Sequence, residues 1–216
     1  MKLPILYLHG FASSPQSHKA AFLSARWRAG GRTVVIPDLN CGDFATLTIS
    51  KMLDLAEAEA MAIGGPYAIV GSSMGGYTAT LLASRGDRYL EGLILLAPAF
   101  QPDTLWQREL NPTELARWKK SGTLLVEHHA YGKEVPLHYR FLKDAARHPP
   151  YPDIGETPCV IIHGTQDTVV PVTLSEQFCC GRKNVTLYPI LDDHELKNSL
   201  DLIFTIANEF LRRLET

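Results

Sequence analysis

Gly71-Ser72-Ser73-Met74-Gly75-Gly76 sets a serine between glycines two residues before it and two residues after it. A serine hydroxyl is a weak nucleophile at neutral pH and needs a base beside it. It must also stand clear of the backbone, which a sharp strand-to-helix turn achieves when the flanking residues are small. Tyr67–Gly71 has the apolar, β-branched character of a strand, and Gly75–Ser84 has helical character. The spacing therefore fits a nucleophile elbow with Ser73 at the apex and Ser72 turned elsewhere. A plain Gly/Ser turn ahead of a helix is the alternative.

A base and an acid to orient it are expected after later strands. His194, in Leu191-Asp192-Asp193-His194, follows the strand-like run Val185–Ile190. Asp167, in His163-Gly164-Thr165-Gln166-Asp167, follows Cys159–His163. In such a set His194 shuttles the proton of Ser73, and Asp167 orients the imidazole and stabilises its cation. Asp192 and Asp193 are rival acids, but they sit so near His194 in sequence that they suit turn formation better. A developing oxyanion needs donors. The backbone N–H of Met74, just after the nucleophile, is one. The N–H of Phe11, in the turn His9-Gly10-Phe11, is the other. His9 reads as a structural hydrogen bonder.

Short strands must alternate with helices to bring these segments together. The pattern predicts strands at Lys2–Leu8, Thr33–Ile36, Tyr67–Gly71, Gly92–Ala97, Cys159–His163 and Val185–Ile190. Helices are expected at Ser17–Ala29, Phe44–Ile63, Gly75–Ser84, Val172–Cys180 and Leu196–Leu214. Such alternation gives a mainly parallel sheet with helices on both faces, and those sheets carry their sites at the carboxyl ends of the strands. The polar and glycine-bearing segments named above all fall there. Between Pro98 and Pro158 the rhythm breaks. A helix at Pro112–Lys120, a hairpin across Thr123–Val135 turning near Tyr131-Gly132, and a helix at Leu137–Arg147 are expected. This insertion, about residues 99–157 and rich in aromatic residues and proline, reads as a lid.

Composition narrows the class. The chain has 216 residues, 45% of them hydrophobic, which suits one compact domain spanning residues 1–216. Its formal net charge of -2 offers no broad basic field, so neither nucleic acid nor a membrane surface is expected as a partner. The opening apolar run is short and leads into the His9-Gly10 turn, so it reads as a strand and not as a signal peptide. Four cysteines without metal-type spacing suit reduced thiols in a cytoplasmic protein. His128, His129, His138 and His148 lack ligand spacing as well. No metal and no cofactor is expected. Cys41, after the second strand, could border the pocket.

The segments YLHGFASSPQSHKA, GSSMGGY, HGTQDTVVP and DDHEL together resemble the α/β-hydrolase superfamily, and the first is similar to the N-terminal motif of small bacterial esterases of the YqiA type. The resemblance implies an α/β-hydrolase fold of about six mainly parallel strands with an inserted lid and no antiparallel leading strands. It implies a nucleophile at Ser73, an acid at Asp167 and a base at His194. The insertion departs from those esterases, and its Trp118–Ala145 stretch is similar to the lid of a mitochondrial acyl-protein thioesterase. The expected activity is cleavage of small-molecule carboxylic esters or thioesters through an acyl-serine. A peptidase, C–C hydrolase or lyase on the same fold, or an inactive binding module, stays open at this point.

Overall fold

The computed structural model describes residues 2–216. Its main sheet comprises β1 (Ile5–Leu8), β2 (Val34–Val35), β3 (Tyr67–Ser72), β4 (Leu90–Leu96), β7 (Cys159–Gly164) and β8 (Val185–Ile190), in the order β2-β1-β3-β4-β7-β8. Every pairing in it is parallel. The four inner strands β1, β3, β4 and β7 are buried on both faces, so successive residues feed opposite cores. Ile5 and Tyr7 pack under α1 (His18–Ala29) and α8 (Leu200–Leu214). Leu6 and Leu8 pack under α2 (Ile49–Ile63), α3 (Met74–Ala83) and α7 (Val172–Cys179). A parallel sheet reads as near-continuous aliphatic runs for this reason.

Residues between β4 and β7 form a separate layer over the carboxyl edge. α4 (Pro102–Glu109) and α5 (Pro112–Ser121) lead into an antiparallel hairpin, β5 (Thr123–His128) and β6 (Lys133–His138), followed by α6 (Arg140–Ala145). Pro112 at the first helical position and a reciprocal capping pair between Asn111 and Glu114 start α5. Gly122, at φ 79°, ends it. Trp118 is wholly buried, and its indole N–H donates to the Leu137 carbonyl at 3.0 Å, tying α5 to the hairpin.

Several boundaries differ from the sequence reading. The expected helix over 44–63 is two pieces, because the Thr48 hydroxyl accepts the Lys51 N–H and starts α2 afresh after a short 3-10 turn at Phe44–Thr46. A 3-10 turn at Lys197–Ser199 likewise precedes α8. Leu137 and His138 belong to β6 and not to a helix, since they pair with Leu124 and Thr123. α4 has no counterpart in the expectations: its apolar positions are too few to show a helical period.

Truncating Trp118 tests the packing of this layer. Trp118→Ala removes a buried indole and strands the Leu137 carbonyl, and should cost about 3–5 kcal/mol in urea unfolding. A loss below about 1 kcal/mol would contradict the packing described.

Candidate active site

Four loops at the carboxyl ends of β1, β3, β7 and β8 converge on one point. At the end of β3 the chain turns directly into α3, and Ser73 takes φ 53° and ψ -118°. A non-glycine residue at positive φ is strained. The turn is held by Ser73 N–H donating to the Leu96 carbonyl at 2.8 Å. The Ser73 carbonyl in turn accepts from Gly76, Tyr77 and Ala99 at 2.9–3.1 Å. Glycines make the approach possible. A Cβ on Gly75 would overlap the Leu8 and His9 carbonyls, and one on Gly71 would lie 2.6 Å from the Gly75 oxygen. A Cβ on Gly10 would sit 3.3 Å from the Ser73 Cβ.

His194 Nε2 lies 3.0 Å from Ser73 Oγ, and His194 Nδ1 lies 2.7 Å from Asp167 Oδ2. The tautomer that satisfies both contacts carries its proton on Nδ1 and accepts the serine hydroxyl at Nε2. Asp167 Oδ1 accepts the backbone N–H groups of Val169 at 2.9 Å and Val170 at 2.7 Å. Burial alone would favour the neutral acid, yet the hydrogen bonds from His163, His194 and Val170 outweigh it and hold the carboxyl well below the usual carboxylate range. Geometry thus joins the three residues singled out in the sequence into one chain of proton-sharing contacts.

Asp192 and Asp193 do not face this chain. Asp192 accepts from Asp193 N–H, Asn198 N–H and the Asn198 amide, and Asp193 accepts from Glu195 and Leu196 N–H. Both carboxylates build the turn that presents His194. His9 donates from Nδ1 to the Gly10 carbonyl and accepts the Leu39 N–H at Nε2, 2.9 Å away. Burial holds this imidazole below its ordinary pKa. Both ring nitrogens are spoken for, so it braces the loop carrying Phe11. Among the described residues neither the Phe11 nor the Met74 backbone N–H has an acceptor. Beside Ser73 lies a cavity of about 210 Å³ walled by Phe11, Met74, Leu105, Trp106, Val169 and Val170. The insertion supplies part of that wall through α4. Cys41 lies elsewhere, in an open surface groove of about 520 Å³ with Asp38, Lys51 and Asp54.

Two contributors escape a sequence reading. His163, wholly buried at the end of β7, donates from Nε2 to the Val170 carbonyl at 2.8 Å and to Asp167 at 3.1 Å, while its Nδ1 accepts the Ser175 hydroxyl at 2.7 Å. The spacing to Asp167 is the only hint, and a strand-end histidine is ordinarily packing. Lys19 donates to the His194 carbonyl at 3.2 Å and ties α1 to the histidine loop. Burial pushes its ammonium down to about 8, against the pull of Glu195, Asp167 and Asp193.

A carboxyl held below its unfolded value stabilises the fold at pH above the ordinary aspartate value of about 3.9, and that contribution is lost as pH falls below it. Asp167→Asn should therefore be less stable than wild type near neutrality, with the gap closing as pH drops below about 4. Urea unfolding across that range measures it. A gap independent of pH would contradict the ionised, hydrogen-bonded carboxylate.

Solved structures with the same architecture place the chain in context. It is similar to alpha/beta hydrolase domain-containing protein 10 from mouse at 20% identity and a TM-score of 0.78, covering 98% of this chain and 90% of that one. It is similar to Est1E from Butyrivibrio proteoclasticus, solved with ferulic acid, at 22% identity and a TM-score of 0.83, covering 99% and 90%. A monoacylglycerol lipase from Paleococcus ferrophilus aligns at 14% identity and a TM-score of 0.73, covering 99% and 97%. These likenesses establish the α/β-hydrolase fold. Residues 4–203 match the model of the uncharacterised protein family UPF0227, and the chain belongs to that family.

Proposed function

We propose that this chain is a serine hydrolase that cleaves carboxylic ester or thioester bonds through an acyl-serine intermediate. The observation that carries the reading is the unbroken contact chain from Ser73 Oγ through His194 to a buried, ionised Asp167, set against an apolar cavity. In the first half-reaction Ser73 Oγ attacks the acyl carbonyl while His194 Nε2 takes its proton. The carbonyl oxygen becomes an oxyanion facing the N–H groups of Phe11 and Met74, which are worth more there than in water because they are already oriented. Collapse expels the alcohol or thiol, which leaves with the proton from His194. Water then repeats the sequence on the acyl-serine, with His194 as base and Ser73 as leaving group. Asp167 keeps its negative charge throughout and stabilises the imidazolium.

Neighbours named as Est1E with ferulic acid bound and as a monoacylglycerol lipase lend support to ester chemistry. The cavity of about 210 Å³ suits a single small acyl group. We read the whole chain as one unit with residues 99–157 as its lid, because α4 of that segment lines the cavity. No helix among the described residues is long and apolar enough to cross a membrane. The four free cysteines agree with a reducing, cytoplasmic setting.

Ser73→Ala should lower kcat/KM for p-nitrophenyl butyrate on the order of a thousand-fold or more, leaving only binding and oxyanion contributions. His194→Ala should lose a comparable amount, and the double variant little beyond either alone, because the two residues act as one unit. A Ser73→Ala enzyme within about threefold of wild type would end the proposal.

A further inference from the structure

We infer that Lys19 is a positioning residue for the reaction, its ammonium gripping the His194 carbonyl and so holding the imidazole at Ser73. The effect on turnover rests on the hydrolase reading, while the grip itself stands on geometry. His194 tops a short arch between Asp192 and Leu196, both of them buried. The arch is stiffened from within, since Asp193 accepts the N–H groups of Glu195 and Leu196. One foot is fixed to the acid loop by the Gln166 N–H, 3.0 Å from the Asp192 carbonyl. The other foot, Leu196, is packed into the core under α1 and α8. Among the described residues, the one hydrogen bond to the backbone of His194 itself comes from Lys19, at 3.2 Å. The contacts of the imidazole with Asp167 and Ser73 thus hang on a backbone steadied by one side chain of α1.

Charge makes this grip firm. A hydrogen bond from an ammonium is about twice as strong as one from a neutral donor. Lys19 lies in the first turn of α1, at the positive end of the helix dipole, so the helix itself does not favour a cation there. Glu195, Asp167 and Asp193 attract the ammonium and Lys197 repels it. Each of those carboxylates has closer partners. Asp167 meets His163 and His194, Glu195 pairs with Lys197, and Asp193 accepts backbone N–H groups. Burial outweighs their pull and brings the ammonium down to about 8, from about 10.4 for an exposed lysine. The grip is therefore charged at neutrality and weakens as pH rises through about 8. A shift of about 1 Å in a reacting group costs on the order of a hundredfold in rate. Lys19 is not part of the cavity wall, so its loss acts on kcat and leaves substrate binding alone.

The test follows kcat and KM for p-nitrophenyl butyrate from about pH 7.5 to about pH 9.5, with spontaneous hydrolysis subtracted. Wild type, Lys19→Arg and Lys19→Met are compared with the control Lys183→Met, an exposed position just ahead of β8 at the amino edge of the sheet. Wild type and Lys183→Met should lose about tenfold in kcat across that range, with a midpoint of about 8 and KM steady. Lys19→Arg carries a charge that does not titrate there, so its profile should be flat. Lys19→Met should also be flat, at least about tenfold below wild type at the lower pH. The low-field proton resonance of His194 Nδ1, assigned by its absence from His194→Ala, reads the same series without turnover. It should weaken above about pH 8 in wild type, persist in Lys19→Arg and be weak throughout in Lys19→Met. A flat wild-type profile, an alkaline fall that survives in Lys19→Arg, or wild-type turnover by Lys19→Met overturns the inference. A resonance that tracks the charge of Lys19, in a chain whose turnover does not need Ser73, upholds it and defeats the hydrolase reading alone.

Discussion

The close approach of the first turn of α3 to the ends of β1 and β3 is the constraint on which the site depends. Gly75 lies against the Leu8 and His9 carbonyls and Gly71 against Gly75, with no room for a methyl group at either. That contact forces Ser73 into positive φ, a conformation costing on the order of 1–3 kcal/mol for an ordinary residue. The cost is offset by four backbone hydrogen bonds made by Ser73 itself. Because the strain is fixed by backbone geometry, the hydroxyl is aimed before any ligand arrives. The same contact brings the β1 loop beside the elbow, with Gly10 lying against Ser73.

A second constraint is electrostatic. An aspartate with a fully buried side chain is tolerable only if its charge is answered. Two backbone N–H groups and two imidazoles do this for Asp167. His163 is in turn fixed by Ser175 on α7 and by the Val170 carbonyl, so the acid is braced from the helix behind it. Asp192 and Asp193 brace the histidine from the other side by shaping its turn. Gly164 permits this, since a side chain there would strike the Asp192 and Asp193 carbonyls. The acid and base loops therefore touch through backbone as well as through side chains.

Much of this is legible in the residues themselves. The aliphatic runs of β3, β4 and β7 mark strands because the inner part of a sheet covered on both faces needs apolar side chains, while β8, at the edge, is marked by its β-branched and aromatic residues. Ser73, Asp167 and His194 could be picked out because each follows such a run. What escaped has physical causes. α4 carries only Leu105 and Trp106 as large apolar residues, so its helical period is invisible until the cavity gives its face a partner. Pro136 in β6 is tolerated in a two-stranded hairpin with free edges, so the strand runs on through Leu137 and His138, where a helix was expected. His163 and Lys19 matter through what they face, and facing is a property of the fold.

The central claim is that Ser73 is the one serine made nucleophilic by its neighbours. Reaction with diisopropyl fluorophosphate, followed by peptide mapping by mass spectrometry, tests it most directly. One diisopropylphosphorylated residue per chain is expected, at Ser73 and not at the adjacent Ser72, with labelling lost in His194→Ala. Label on another serine, or none on the folded wild-type protein, would contradict it.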